Sequence, residues 1–119
     1  MIIKIDEYSD VPIYMQIRNQ IVMGISSGEL APGEQLPTVR ALALEMGINT
    51  MTVSKTYQLL KQEGYIFTDR KNGARVRETI NKSGTVSDEN KRELMRIVSE
   101  ARLSGVAKQD LIKLIDEYY

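Results

Sequence analysis

Apolar residues in the first half of the chain recur at intervals of three and four, the spacing of helices that bury one face. A first helix is predicted to open at Pro12, where a missing N–H costs least, and to end near Gly28. Isoleucine repeats every fourth residue along it, at Ile13, Ile17, Ile21 and Ile25. The segment Met1 to Ile5 ahead of it is compatible with either a short strand or an arm.

Two further helices are predicted from about Thr38 to Glu45 and from about Thr50 to Glu63. Gly47 between them can adopt a positive φ and end the first, and Asn49 stands where an N-cap is needed. Each helix has one apolar face, and the two faces contain Val39, Leu42, Ala43 and Met46, and then Val53, Thr56, Tyr57 and Leu60. Two short helices joined by a tight glycine turn predict a helix-turn-helix.

The outward face of the second of these helices is polar. It carries Thr50, Met51, Ser54, Lys55 and Gln58. Small polar side chains with one lysine and one amide suit the major groove of DNA, where side chains reach base edges and phosphates. An ordinary helical hairpin would show the same two-helix pattern, so these residues alone do not decide between the two interpretations.

The segment that follows predicts a β-hairpin. Tyr65 to Thr68 and Ala74 to Arg77 read as strands, and the charged turn between them ends in Asn72-Gly73, a strong hairpin signal. The turn and the second strand carry Arg70, Lys71, Arg75 and Arg77. A solvated hairpin tip could have this composition, but directly after a helix-turn-helix the basic cluster favours a wing that contacts nucleic acid.

Two amphipathic helices are predicted after a polar linker at residues 81–85. Ser87 can cap the first, from about Asp88 to Ser104, and the second begins near Lys108. Their apolar stripes contain Leu94, Ile97, Val98 and Ala101, and then Leu111, Leu114, Ile115 and Tyr118. Helices this short are marginal alone, so the stripes need a partner surface, either in the same chain or in a second copy. We favour a homodimer.

The predicted fold is therefore mainly α. Residues 1–78 form a winged helix-turn-helix DNA-binding domain of three helices plus a two-stranded β wing. Residues 79–119 form a C-terminal helical hairpin for dimerisation.

Charge is unevenly distributed although the chain is neutral, with 16 basic and 16 acidic residues. Residues 1–34 contain two basic and five acidic residues, a net charge of −3, whereas residues 50–77 contain six basic and two acidic residues, a net charge of +4. A local positive field can steer a protein toward phosphate. Few phosphates are neutralised per subunit, however, so binding as a dimer is expected.

Other residue types narrow the function further. The chain has no Cys and no His, and we find no nucleophile–base pair, phosphate-binding glycine loop or cluster with metal-ligand spacing. We therefore expect neither an enzyme nor a bound metal or cofactor. No apolar run is long enough for a membrane span and no signal peptide is evident, so we expect a cytoplasmic protein without a membrane partner.

Residues 8–78 resemble the GntR superfamily of bacterial transcription regulators. The resemblance lies in residues 12–17 (PIYMQI), 27–43 (SGELAPGEQLPTVRALA) and 49–60 (NTMTVSKTYQLL). The last motif, the chain length and the two final helices are similar to the YtrA-like branch, whose short chains carry two C-terminal helices in place of a large ligand-binding domain.

The resemblance implies roles for individual residues. Arg40 would grip the phosphate backbone, and Gly73 would be the glycine of the wing turn. Thr50, Thr52, Ser54 and Lys55 would lie at the groove end of the recognition helix. Many relatives carry Arg at the positions of Thr50 and Ser54, so their base contacts cannot be transferred. Relatives often follow the wing glycine with Thr and an aromatic residue, where this chain has Ala74 and Arg75, so Arg75 is a candidate DNA contact.

These expectations define a DNA interface and a partner. The interface consists of Thr38, Arg40, Asn49, Thr50, Met51, Thr52, Ser54, Lys55, Gln58, Lys71, Asn72, Gly73 and Arg75, with Ser54 and Lys55 expected at base edges. The partner is double-stranded DNA with an inverted-repeat operator, and the resemblance implies a repressor of its own operon, often beside transporter genes. A small-molecule effector, if there is one, would bind between the C-terminal helices or at the dimer interface. The alternative is a winged helix that binds a protein, which predicts an apolar outward face.

Overall fold

Across residues 1–71 and 73–119, the part of the chain that this computed structural model describes, there are five helices and one antiparallel pair of strands. The backbone divides into two units, Met1–Asn81 and Lys82–Tyr119. The elements in chain order are α1 (Ile13–Ser27), α2 (Val39–Met46), α3 (Thr50–Gln62), β1 (Ile66–Asp69), β2 (Gly73–Val76), α4 (Asp88–Leu103) and α5 (Lys108–Tyr118).

The core of the first unit is made from one face of each of its elements. Ile17 and Ile21 of α1 have no exposed surface, which confirms the centre of the predicted isoleucine stripe, while Ile13 and Ile25 are half-buried. All four residues predicted for the inner face of α3 are buried, namely Val53, Thr56, Tyr57 and Leu60. Burial of the valine, leucine and isoleucine side chains contributes about 1.5–3 kcal/mol each, so this core is a major source of the stability of the unit.

Helix ends follow local residue chemistry closely. Pro12 is the N-cap of α1 rather than its first residue, and Thr38 caps α2 by accepting a hydrogen bond from the Ala41 N–H at 3.0 Å. Gly47 ends α2 with a φ of 67°, a left-handed conformation that side-chain-bearing residues rarely adopt. The predicted end of α3 at Glu63 is one residue too late, because Glu63 is the C-cap.

The wing is present, but both strands lie one residue nearer the turn than predicted, at Ile66–Asp69 and Gly73–Val76. Asp69 pairs with Gly73, so both belong to the strands rather than to the turn. The carboxylate of Asp69 accepts a hydrogen bond from the Lys71 N–H at 2.9 Å, which tightens the start of the turn. Gly73 begins β2 with a φ of 73°.

The loop between α1 and α2 lies along the outer side of β2. The Gly33 and Leu36 N–H groups donate to the carbonyls of Val76 and Ala74 at 2.9 and 2.8 Å, and the Val76 N–H donates back to the Glu34 carbonyl at 2.9 Å. This extended loop satisfies the backbone groups on that side of β2. The sequence analysis predicted no pairing between this loop and the wing, so the attachment was missed.

Residues 1–11 form an arm without helix or strand that is held by two glutamines of α1. The Gln20 carboxamide accepts from the Lys4 N–H at 2.9 Å and donates to the Lys4 carbonyl at 2.6 Å. The Gln16 carboxamide accepts from the Asp6 N–H at 2.8 Å and donates to the carbonyls of Asp6 and Val11 at 2.9 and 2.8 Å. The arm is thus attached through its backbone.

In the second unit, α4 and α5 begin differently. Ser87 caps α4 as predicted, accepting from the Asn90 N–H at 3.1 Å, whereas α5 begins after Ala107 with no side-chain cap. None of the described residues of either helix is buried. Leu94 remains 48% exposed and Ile115 remains 44% exposed, and the other members of the two stripes are likewise half-buried or exposed.

A buried hydrogen bond and an ion pair connect α1 with α3 and with its C-cap. The hydroxyl of Thr56, which has no exposed surface, donates to the Tyr14 carbonyl at 3.0 Å and lies 3.1 Å from the Thr52 carbonyl. Nearer the other end, the Arg18 guanidinium donates twice to the Glu63 carboxylate, at 2.9 and 2.7 Å. The buried hydroxyl bond is the more protected from water, so we expect it to contribute more to stability than the ion pair.

Replacing Thr56 by Val should lower the free energy of unfolding by about 1 kcal/mol, because it removes a buried hydrogen bond while keeping the side-chain shape. Urea denaturation followed by circular dichroism measures this difference. The exposed Thr50, also on α3, provides the control: Thr50→Val should change stability by less than about 0.5 kcal/mol. Equal losses in the two variants would contradict the role given to the Thr56 hydroxyl.

Candidate nucleic-acid interface

The outward face of α3 presents the polar residues that the sequence predicted. Its buried face fixes the rotation of the helix, and Asn49 starts it by accepting a hydrogen bond from the Met51 N–H at 2.7 Å. The outward residues surround a shallow hollow of about 370 Å³ lined by Met51, Thr52, Ser54, Lys55 and Gln58. Five of the predicted interface residues therefore lie together, and Met51, which is 77% exposed, is the one apolar member.

A second hollow of about 400 Å³ separates α3 from the wing. It is lined by Thr38, Val39, Ser54, Tyr57, Gln58, Lys61, Thr68, Gly73 and Ala74. Four of the predicted residues, Thr38, Ser54, Gln58 and Gly73, therefore belong to this cleft. Ser54 and Gln58 line both hollows, so the outward face of α3 is continuous with the cleft beside the wing.

Tyr57 forms part of the cleft without adding charge to it. Its hydroxyl donates to the Pro37 carbonyl at 2.7 Å, and burial raises the pKa of the phenol well above its ordinary value. The phenol therefore stays protonated at neutral pH and continues to donate. This bond ties α3 to the residue before the N-cap of α2, and so sets the position of α2 beside the cleft.

Lys61 is a cleft residue that sequence reasoning did not place at the interface. Its ammonium donates to the Thr68 hydroxyl of β1 at 3.1 Å and so links α3 to the wing. Ser54, Gln58 and Lys61 are spaced by four and three residues, which places them on one side of a helix. That spacing could have identified Lys61, but the predicted interface on α3 ended at Gln58.

Neither hollow is lined by five other predicted residues, namely Arg40, Asn49, Thr50, Lys71 and Arg75. Arg40 is exposed in the first turn of α2, and Lys71 is exposed in the wing turn. Arg75 is half-buried on β2, where its Nε donates to the Gly33 carbonyl at 3.1 Å, so its guanidinium lies beside the loop that flanks the wing. Thr50 is exposed at the start of α3. Asn72 lies outside the described residues.

Lys55 lies against a residue from another helix. Its ammonium is over the Tyr14 ring, 4.0 Å from the ring centroid. An interaction of a cation with an aromatic face orients a side chain that would otherwise sample many rotamers. The sequence placed Lys55 on the correct face but did not predict this contact.

The part of the chain that the structure describes, residues 1–71 and 73–119, contains no group of three or more His, Cys, Asp or Glu side chains placed to hold a metal ion. None of its helices combines the length and the apolar character that crossing a membrane requires.

The chain is similar to proteins of known family. Residues 13–76 match the family described as "Bacterial regulatory proteins, gntR family". The chain is 36% identical over 118 residues to the HTH-type transcriptional repressor YtrA of Bacillus subtilis (strain 168), an alignment that covers 97% of this chain and 90% of that protein.

Two solved structures are similar over almost the whole chain. The structure of a transcriptional antiterminator from Listeria monocytogenes EGD-e has a TM-score of 0.78 and 30% sequence identity, covering 99% of this chain and 90% of that one. YtrA from Sulfolobus acidocaldarius, described as a GntR-family transcription factor, has a TM-score of 0.60 and 38% identity, covering 97% of this chain and 94% of that one.

The capping bond of Asn49 leads to a prediction about stability. Asn49→Ala should lower the free energy of unfolding by about 1 kcal/mol, because α3 loses its cap. Asn49→Asp should be about as stable as the wild type, because a carboxylate caps equally well and suits the positive end of the helix dipole. Urea denaturation of both variants decides the point, and an equal loss in the two would rule out capping as the role of this side chain.

Proposed function

Since the chain belongs to the GntR family of bacterial regulatory proteins and is a DNA-binding transcription regulator, we propose that it acts as a homodimeric repressor of an inverted-repeat operator. The observation that carries the proposal is the pair of uncovered apolar stripes on α4 and α5. Repression is inferred from the repressor name of the Bacillus subtilis relative. The sequence resemblance implies regulators that often lie beside transporter genes, so transporter genes are candidate targets.

The exposure of the stripes supports a dimer. Ile97, Val98 and Leu114 remain between 41% and 43% exposed, although each is a large aliphatic residue. Arg96 pairs with both Glu93 and Glu100, so α4 also carries a charged face that suits solvent. In a two-fold dimer, α4 and α5 of each copy would cover the apolar face of the other copy's α4 and α5. The proposed interface comprises Leu94, Ile97, Val98, Ala101, Leu111, Leu114, Ile115 and Tyr118.

The charge distribution supports the same assembly. Residues 50–77 carry a net charge of +4, which is modest for a DNA-binding surface. Two copies on one duplex would double the number of phosphates neutralised and bring two α3 helices to successive major grooves. The operator should then be an inverted repeat with half-sites about one helical turn apart, or slightly more.

The proposed contacts divide into two classes. Arg40 is exposed at the N-terminal end of α2, two residues after the cleft residue Thr38, and the positive end of a helix dipole favours phosphate. Ser54 lies where the two hollows of α3 meet, so we assign it to base edges. Phosphate contacts position a protein on DNA, whereas base contacts specify the sequence.

The two classes predict different behaviour on two DNAs, a duplex selected from a randomised pool by the wild-type protein and a scrambled duplex of equal length. Arg40→Ala should weaken binding to both by similar factors. Ser54→Ala should cost about 1–3 kcal/mol on the selected duplex and less on the scrambled one. Fluorescence anisotropy titrations measure the affinities of the wild type and of both variants for each duplex. A sequence-selective loss for Arg40→Ala, or equal losses for Ser54→Ala, would reverse the assignments.

The dimer is tested at Leu114 by sedimentation. Leu114→Asp would place an unpaired charge in the proposed interface, so the variant should sediment as a monomer and lose tight operator binding while residues 1–81 stay folded. Gln109→Asp adds the same charge on the opposite side of α5 and should remain a dimer. A wild-type chain that is monomeric at micromolar concentration, or a Leu114→Asp variant that still dimerises, would refute the proposal.

A further inference from the structure

A buried hydrogen bond supports the contact between Lys55 and Tyr14. The centroid of the Tyr14 ring lies 4.0 Å from the Lys55 ammonium. The Tyr14 carbonyl accepts the buried hydrogen bond from Thr56, the residue after Lys55. The backbone of Tyr14 is therefore tied to the same turn of α3 that carries Lys55. The ring and the ammonium are held together by the packing of α1 on α3 as well as by their own attraction.

The contact also places Lys55 on one flank of α3. Thr56 faces α1, whereas Ser54 and Lys61 line the cleft beside the wing. Lys55 therefore lies on the side of the outward face that is nearer to α1 and farther from the wing. When a helix enters the major groove, the middle of its outward face meets base edges and its flanks meet the phosphate backbones.

A lysine held in this way keeps the chemistry that phosphate requires. The aromatic face attracts the ammonium electrostatically, and the ammonium has three N–H donors, so it can still donate to a phosphate oxygen. A side chain that is already oriented loses less conformational entropy on binding than one that moves freely. The contact thus prepares Lys55 for a phosphate beside α1.

We propose that Tyr14 is a positioning residue of the DNA interface, whose ring holds the Lys55 ammonium at the α1 flank of α3, where it binds a phosphate. This inference rests on the proposed placement of α3 in the major groove. It replaces the sequence-based expectation that Lys55 reaches a base edge.

A double-mutant cycle on the full chain tests the proposal, with the selected and scrambled duplexes described above and anisotropy titrations at several salt concentrations. Lys55→Ala should weaken binding to both duplexes by a similar factor, on the order of tenfold. It should also lower the slope of log affinity against log salt by about one. Tyr14→Leu should cause part of the same loss of affinity. Adding Tyr14→Leu to Lys55→Ala should cause no further loss. Tyr14→Phe, which keeps the ring face, should bind as the wild type does.

Lys61 supplies the matched control, because it lies on the wing side of α3, away from Tyr14. In a Lys61→Ala background, Tyr14→Leu should weaken DNA binding by the same factor as it does in the wild type. A second readout uses the wild-type chain itself, so it does not depend on any Tyr14 variant folding. The Lys55 methylene protons, assigned by comparison with Lys55→Ala, should show an upfield NMR shift from the ring current of Tyr14.

Each other outcome overturns the proposal in a recognisable way. Additive losses for Tyr14→Leu and Lys55→Ala would show that Tyr14 acts only through the fold. A loss confined to the selected duplex for Lys55→Ala would make Lys55 a base contact, and equal losses for Tyr14→Phe and Tyr14→Leu would assign the effect to the hydroxyl. Absence of the upfield shift would show that the contact does not persist in solution. If the wild type bound neither duplex, the DNA-binding function would fail together with the inference.

Discussion

The rotation of α3 about its own axis determines which side chains the protein presents. Four residues of this helix are buried, and two of them make directional hydrogen bonds, from Thr56 to the Tyr14 carbonyl and from Tyr57 to the Pro37 carbonyl. Apolar contacts alone tolerate small shifts, but a hydrogen bond weakens steeply when its angle changes. These two bonds attach α3 to α1 on one side and to the start of α2 on the other. The polar outward face follows from this attachment.

Much of the fold could be predicted from the sequence because its determinants are local. A serine or asparagine before a helix and a glycine after it act on the backbone within one turn, and so Ser87, Asn49 and Gly47 marked helix ends correctly. Both wing strands extend one residue nearer the turn than predicted, because Asp69 pairs with Gly73. The contact of the wing with a distant segment was not predicted. The loop at residues 33–36 bonds to β2 at residues 74–76, and no local pattern announces that pairing.

The candidate site divides in the same way. Helical periodicity correctly identified four exposed residues of α3, Thr50, Met51, Lys55 and Gln58, while the fifth, Ser54, is half-buried. It could not show that Lys61 reaches Thr68 or that Lys55 lies over Tyr14, because the partners come from other elements. Long charged side chains adopt many rotamers, and their final orientation is decided by neighbours that only the folded chain supplies. The sequence thus predicted the members of the surface better than their contacts.

The attachment of the arm through its backbone has a consequence for how this part of the chain can change. Gln16 and Gln20 bond only to N–H and C=O groups of Lys4, Asp6 and Val11, which every residue except proline possesses in full. The clamp is therefore indifferent to the identity of the side chains it grips. Positions such as Tyr8, which is 96% exposed, can diverge without loosening the arm, whereas the two carboxamides on α1 cannot. Mutational tolerance at such exposed positions is thus set by residues that lie outside the arm, whereas Ile3 packs against the core through its own side chain.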